Sequence, residues 1–153
     1  MRIELGPFLD EPGRQHPVEL RIPSAAFSAG SEEVRVVQDV VISGRGFSQM
    51  RTLYLDLRVS TSIERPCGRC LMSVSVPIDA WDAFELPIPE EGDTIDLRPS
   101  IVAIVVSSLP SRTLCREDCR GLCPKCGADL NRVTDHRCDD AGEERRTLGE
   151  YLR

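Results

Sequence analysis

The stretch 115–138, CREDCRGLCPKCGADLNRVTDHRC, holds five of the chain's seven cysteines together with His136. It contains few apolar residues, so it cannot fold by hydrophobic burial alone and needs a cross-link such as a disulfide or a metal ion. The two remaining cysteines form a Cys67-Gly-Arg-Cys70 unit further upstream. The N-terminus has no signal-peptide pattern, so we expect a cytoplasmic location, where thiols persist and disulfides are rare. The cysteines therefore predict metal binding.

Two C-x-x-C units carry this prediction, at 67–70 and at 123–126. Such a turn suits zinc because its two thiolates converge on one ion while turn N–H groups donate to the sulfurs. In the second unit Pro124 fixes the entry of the turn, and Gly127 tolerates the left-handed backbone that closes it.

The ligand count predicts two closed tetrahedral sites, since seven cysteines and one histidine make eight ligands. The first predicted site is Cys67, Cys70, Cys115 and Cys119, and the second is Cys123, Cys126, His136 and Cys138. Four protein ligands leave no position for water or substrate, which is typical of structural zinc. We therefore expect two structural zinc ions, no small-molecule substrate and no enzymatic activity.

Other interpretations of the cysteines stay open at this point. A single site could form from Cys115, Cys119, Cys123 and Cys126, and His136 would then be an ordinary loop histidine. Four thiols could instead hold an iron–sulfur cluster. Thioredoxin-like redox chemistry is disfavoured, because neither C-x-x-C pair follows a strand and opens a helix.

The region upstream of the cysteines predicts antiparallel strands. The run 34–42 is rich in β-branched residues and ends at a Ser-Gly-Arg-Gly turn signal, 43–46. Residues 52–60 alternate between apolar and polar side chains, as a half-buried strand does. These two strands predict a hairpin. Shorter strands are expected at 18–22, within a proline-broken, irregular segment 1–33, and at 72–77 and 81–86.

The apolar run 101–109 is ambiguous between helix and strand. Its β-branched residues favour a strand, whereas Asp96, Pro99 and Pro110 are helix start and stop signals, and we expect a buried helix. The sequence thus predicts an α+β fold, mostly antiparallel β with one buried helix and a C-terminal zinc-knuckle segment. We place the β-rich body at 1–110, the Cys-rich segment at 111–140 and a tail with helical spacing at 141–153.

The charge pattern limits the function classes. The net charge is −6, which argues against a protein that holds nucleic acid by bulk electrostatics. No apolar run reaches the 18 residues expected of a membrane helix, so no membrane partner is expected. Residues 79–96 carry seven acidic side chains and no basic one.

The stretch Cys115–Asn131 resembles the YceD family, the large ribosomal RNA subunit accumulation proteins of bacteria and plastids. Cys67-Gly-Arg-Cys-Leu71 and the segment from Asp96 to Pro110 support the likeness, which covers roughly 34–140. The resemblance implies a helix at 97–109 and a role in accumulation of large-subunit rRNA or in ribosome assembly. Family members often have C-x-C where this chain has His136-Arg-Cys138, an exchange that a zinc site permits.

Two hypotheses about partners follow. The chain could bind ribosomal RNA precursors, with arginines near the strands as phosphate contacts: Arg45, Arg51, Arg58, Arg65 and Arg69. It could instead be a zinc-stabilised interaction module, in which the acidic segment 79–96 meets a basic large-subunit ribosomal protein.

Overall fold

The computed structural model describes residues 1–28, 35–133 and 135–138. Its architecture is mostly antiparallel sheet, as predicted. The strands are β1 (Arg2–Glu4), β2 (His16–Ile22), β3 (Arg35–Val36), β4 (Val40–Gln49), β5 (Thr52–Pro66), β6 (Ser73–Pro87) and β7 (Thr94–Asp96); the helices are α1 (Gly6–Asp10) and α2 (Arg98–Ser107). The larger sheet has five strands, with β4 and β5 at its centre, β2 beside β4, and β3 and β6 beside β5. A second sheet pairs β1 with β7.

The predicted hairpin exists, but its turn does not lie at 43–46. Strand β4 runs through that segment to Gln49, and the chain reverses at Met50 and Arg51. Both residues have positive φ, 48° and 61°, as a two-residue type I′ hairpin turn requires. Gly44 is needed for another reason: a Cβ there would lie 2.0 Å from the carbonyl oxygen of Asp56 in β5. The glycines thus allow close approach of two strands and do not end one.

Three other segments differ from the sequence prediction. The single strand predicted at 34–42 is interrupted within the described residues, with β3 at 35–36 and β4 beginning at Val40. The strands predicted at 72–77 and 81–86 are one continuous strand, β6, because every residue from Ser73 to Pro87 pairs with β5. The segment 1–33 is also more regular than expected, since it contains β1 and α1.

The buried helix is confirmed as α2, which packs on β5 and β6. The N–H of Arg98 donates to the Asp96 carboxylate (2.9 Å), so Asp96 helps to start the helix. Ile101 and Val105 are fully buried and belong to the same core cluster as Leu57 and Val59 of β5. The core therefore lies between one face of the sheet and α2. The tail predicted at 141–153 lies outside the described residues.

Candidate metal centres

The first cluster joins the sheet to the Cys-rich segment. Cys67 and Cys70 lie in the turn between β5 and β6, where Leu71 takes a positive φ of 62° and its N–H donates to the Cys67 carbonyl (3.0 Å). The N–H of Gly68 donates to the Thr113 carbonyl (2.8 Å), which holds the incoming Cys-rich segment against this turn. Cys115 and Cys119 complete the cluster.

The spacing of these four sulfurs fits a tetrahedral ion. The Sγ atoms of Cys67 and Cys119 are 3.9 Å apart, and those of Cys70 and Cys115 are 3.6 Å apart. Four thiolates at the zinc–sulfur distance of about 2.3 Å would lie about 3.8 Å from one another. A disulfide would need about 2.05 Å. The donor set therefore fits a zinc ion, with no cysteine spare.

The second cluster is built within a single loop. Cys123 and Cys126 face His136 and Cys138, and Gly127 closes the knuckle with a φ of 73°, its N–H donating to the Cys123 carbonyl (2.9 Å). The imidazole Nε2 lies 3.3 Å from Cys126 Sγ and 3.1 Å from Cys138 Sγ. Cys123 Sγ and Cys138 Sγ are 3.2 Å apart. All four ligand atoms lie within 4.8 Å of one another.

These are the two sets of four that the spacing predicted. The thiols of the alternative single site are divided two and two between the clusters. His136, which could have been an ordinary loop histidine, places its ring nitrogen among three sulfurs. The structure thus brings together every predicted ligand.

The thiol pKa values, shifted in opposite directions within each cluster, explain why a cation suits both. N–H groups of Cys70 and Arg69 lower the pKa of Cys67 to about 6, and the Cys126 N–H together with the Cys138 thiol lowers the pKa of Cys123 to about 6. Burial, followed by the neighbouring thiols, raises the pKa of Cys115 to about 12. Several thiols so close together cannot all ionise without a compensating positive charge, which a divalent ion would supply.

Asn131 connects the two clusters, although the sequence analysis gave it no role. In the sequence it lies between the candidate ligands Cys126 and His136 of the second cluster. Its amide nitrogen nevertheless donates to Cys119 Sγ of the first cluster (3.5 Å). Its amide oxygen accepts from the Arg120 N–H (2.8 Å) and from the Arg116 guanidinium (2.7 Å). Asp129, two residues earlier, orients the Asn131 amide (2.8 Å). The Asp-x-Asn pattern beside a knuckle was the available signal, since such side chains bond to nearby backbone.

Four of the five candidate RNA-contacting arginines donate hydrogen bonds within the chain, and one of these four is in an ion pair. Arg58 forms a two-pronged ion pair with Asp79 across β5 and β6, and not with Asp56. Arg65 donates to the Pro110 carbonyl (2.9 Å) and not to Glu64. Arg69 and Arg51 also donate to backbone carbonyls, those of Cys119 (2.6 Å) and Pro89 (3.3 Å) respectively. Among the described residues, Arg45 alone of the five has no such partner.

The fold and the two clusters define an antiparallel β protein with two cysteine-rich candidate metal centres. Residues 81–148 match the sequence model of the family described as "Large ribosomal RNA subunit accumulation protein YceD". The predicted resemblance to the YceD family is thus confirmed for these residues.

Curated relatives match part of the chain. Uncharacterised proteins of Mycobacterium tuberculosis and Mycobacterium bovis are 36% identical over 101 residues, which are 56% of this chain and 49% of theirs. The chain thus spans about half the length of these relatives. The "Large ribosomal RNA subunit accumulation protein YCED homolog 1, chloroplastic" of Arabidopsis thaliana is 35% identical over 69 residues, 44% of this chain and 21% of that protein. No solved structure matches the chain. None of the helices in the described part of the chain is long and apolar enough to cross a membrane.

Proposed function

We propose that the protein is a cytoplasmic, non-catalytic zinc-binding factor that promotes accumulation of large-subunit ribosomal RNA or assembly of the large subunit. The observation that carries this proposal is that the YceD match, residues 81–148, contains the whole second cluster and the Cys115 and Cys119 half of the first. The region that resembles a ribosomal RNA accumulation protein is therefore the region that a metal would hold together.

Zinc is the metal that these donors favour. The second cluster mixes three thiols with one imidazole, a combination that structural zinc sites use and that iron–sulfur clusters use far less often. Four protein ligands in each cluster close the coordination shell, so neither ion would activate water. An ion in the first cluster would hold the Cys-rich segment to the body, and an ion in the second would close the loop within that segment. A structural zinc ion contributes roughly 10–16 kcal/mol of apparent binding free energy at neutral pH. That is enough to fold a segment with so few buried apolar residues.

A second candidate function is binding of a basic large-subunit ribosomal protein, and two observations favour it over direct RNA contact. Four of the five candidate arginines are held by partners within the chain. Meanwhile Asp82, Glu85, Glu90 and Glu91 form no ion pair with a cation of the described residues. Both candidates lead to the same cellular outcome, since a factor can act on rRNA through a ribosomal protein.

The test begins with metal analysis of the purified chain, for which we expect two zinc ions per molecule. The gene is then deleted, and the ratio of large-subunit to small-subunit rRNA is measured before and after complementation. We expect the wild type and His136→Cys to restore the ratio, because cysteine can replace the imidazole as a ligand, and His136→Gln to fail. His16→Gln is the matched control, since His16 lies in β2 outside both clusters.

An unchanged rRNA ratio in the deletion strain would refute the proposed role. Full complementation by His136→Gln, with one zinc ion lost, would show that the second centre is not needed for it.

A further inference from the structure

Strand β6 has an open edge. All fifteen of its residues, Ser73–Pro87, pair with β5 on one side. Within the described ranges no strand pairs with its other side. An open edge presents unpaired N–H and C=O groups to any extended chain that can approach it.

The hairpin register shows which residues of β6 point outward. Gln49 and Thr52 flank the two-residue turn and form its hydrogen-bonded pair, so the even-numbered residues of β5 bond to β4 and the odd-numbered ones bond to β6. Across the β5–β6 pairing, the odd-numbered residues of β6 then direct their N–H and C=O groups away from the sheet.

The prolines of β6 agree with this assignment. Pro77 and Pro87 both fall at outward positions, the places in an edge strand where a missing N–H disrupts no ladder. The outward N–H of Ala83 is accepted by the adjacent Asp82 carboxylate (2.9 Å) and not by a strand. Between these prolines Asp79, Trp81, Ala83 and Glu85 form a continuous outward-facing stretch.

The negative charge along this edge favours a basic partner. Asp82 and Glu85 lie in β6, and Glu90, Glu91 and Asp93 follow directly, none in an ion pair with a cation of the described residues. A second copy of the same edge would bring like charges together, which disfavours self-pairing. A strand rich in Lys or Arg would place its cations beside these carboxylates instead.

Trp81 provides an apolar contact at the middle of the edge. It is the chain's single tryptophan and is 65% exposed. Its indole N–H donates to the Asp56 carboxylate, which holds the ring over the outer face of the sheet. The ring therefore lies on the β5 side of β6, and a long cationic side chain from a strand added at the outer edge could reach across β6 to its face.

We propose that the outer edge of β6 binds an extended, basic polypeptide segment by strand addition. This deepens the second candidate function, on which it rests, by naming the surface and the binding mode. Main-chain hydrogen bonds to the outward groups of residues 79–85 give affinity, and the carboxylates with Trp81 give the preference for basic sequences.

The test uses the full zinc-loaded chain and a short synthetic peptide that alternates lysine with threonine. Trp81 fluorescence reports binding directly, because the chain has no other tryptophan. The same peptide with every backbone nitrogen methylated keeps its charge but cannot donate to β6. We expect it to bind at least about tenfold more weakly, since several strand hydrogen bonds are lost.

The charge is tested by the double variant Asp82→Asn with Glu85→Gln. We expect about threefold to tenfold weaker peptide binding, because two partly screened charge pairs are removed. The matched control is Asp10→Asn with Glu19→Gln, which makes the same charge change on exposed carboxylates of α1 and β2, away from β6, and should leave the affinity unchanged.

Equal binding of the methylated and unmethylated peptides would overturn strand addition, and so would a double variant that binds like its control. A single-stranded oligoribonucleotide that quenches Trp81 and displaces the peptide would assign this surface to RNA instead. These outcomes are independent of the rRNA ratio in the deletion strain. A failed peptide test therefore leaves the rRNA role standing, and a failed rRNA test leaves the peptide result standing.

Discussion

The side chain of Asn131 offers a test of how the two metal centres depend on each other. Asn131→Ala removes two donated hydrogen bonds, to Cys119 Sγ (3.5 Å) and Asp129 (2.8 Å), and two accepted ones, from Arg116 (2.7 Å) and the Arg120 N–H (2.8 Å). At 0.5–1.5 kcal/mol net for each bond, and allowing for a half-buried site, the cost to stability is about 2–4 kcal/mol. Loss of an outer-shell donor to a ligand weakens metal affinity by about 10- to 100-fold.

The centre that we expect to lose its metal more readily is not the one nearer to Asn131 in the sequence. Asn131 lies between the ligands of the second centre, yet its amide contacts a ligand of the first, so the first centre should lose its metal more readily. Cobalt substitution distinguishes the two, because a four-thiolate site and a three-thiolate, one-imidazole site differ in their absorption bands. Titration with a competing chelator then measures each affinity in turn. Val133→Ala, an exposed change in the same loop, is the control.

A variant whose three-thiolate centre releases metal first would refute this reasoning. Unchanged affinity at both centres would refute it as well, since the contact to Cys119 would then carry no energy.

Three further predictions concern the body and the metal as a whole. Gly44→Ala should destabilise the fold by about 3 kcal/mol in urea denaturation, because its Cβ would overlap the β5 backbone. Gly6→Ala is the control and should change stability little, because the space around Gly6 is open. Equal effects of the two substitutions would contradict the close approach of β4 and β5 at Gly44. The Arg21 guanidinium and the Ser24 N–H hold the pKa of Asp39 below its ordinary 3.8, so this carboxylate stabilises the fold at neutral pH and the stabilisation is lost as pH falls below 3.8. In the presence of chelator, Asp39→Asn should be less stable than the wild type at pH 7, and the two stabilities should converge in strong acid. A stability difference that does not change with pH would contradict the assignment. Chelation should remove amide-exchange protection from 113–133 while β5 remains protected, and full protection after complete metal removal would show that the segment folds without metal.

The sequence by itself determined the candidate ligands. Cysteine spacing and the one nearby histidine predicted both sets of four, because C-x-x-C turns are local structures whose geometry depends on few residues. The sequence also predicted strand β5, since apolar and polar side chains must alternate in a strand with one buried face. The helix required its flanking signals, Asp96 and Pro99, because its β-branched residues point to a strand.

The tertiary structure alone decided how these parts meet. The role of Gly44 depends on the distance to Asp56 in a neighbouring strand, which no local pattern encodes, so the same glycine looked like a turn. The link from Asn131 to Cys119 and the pairing of Arg58 with Asp79 join residues that are distant or unremarkable in sequence. Local propensity fixes which residues can turn, extend or bind, but contacts between segments form only once the packed sheet has set their separation.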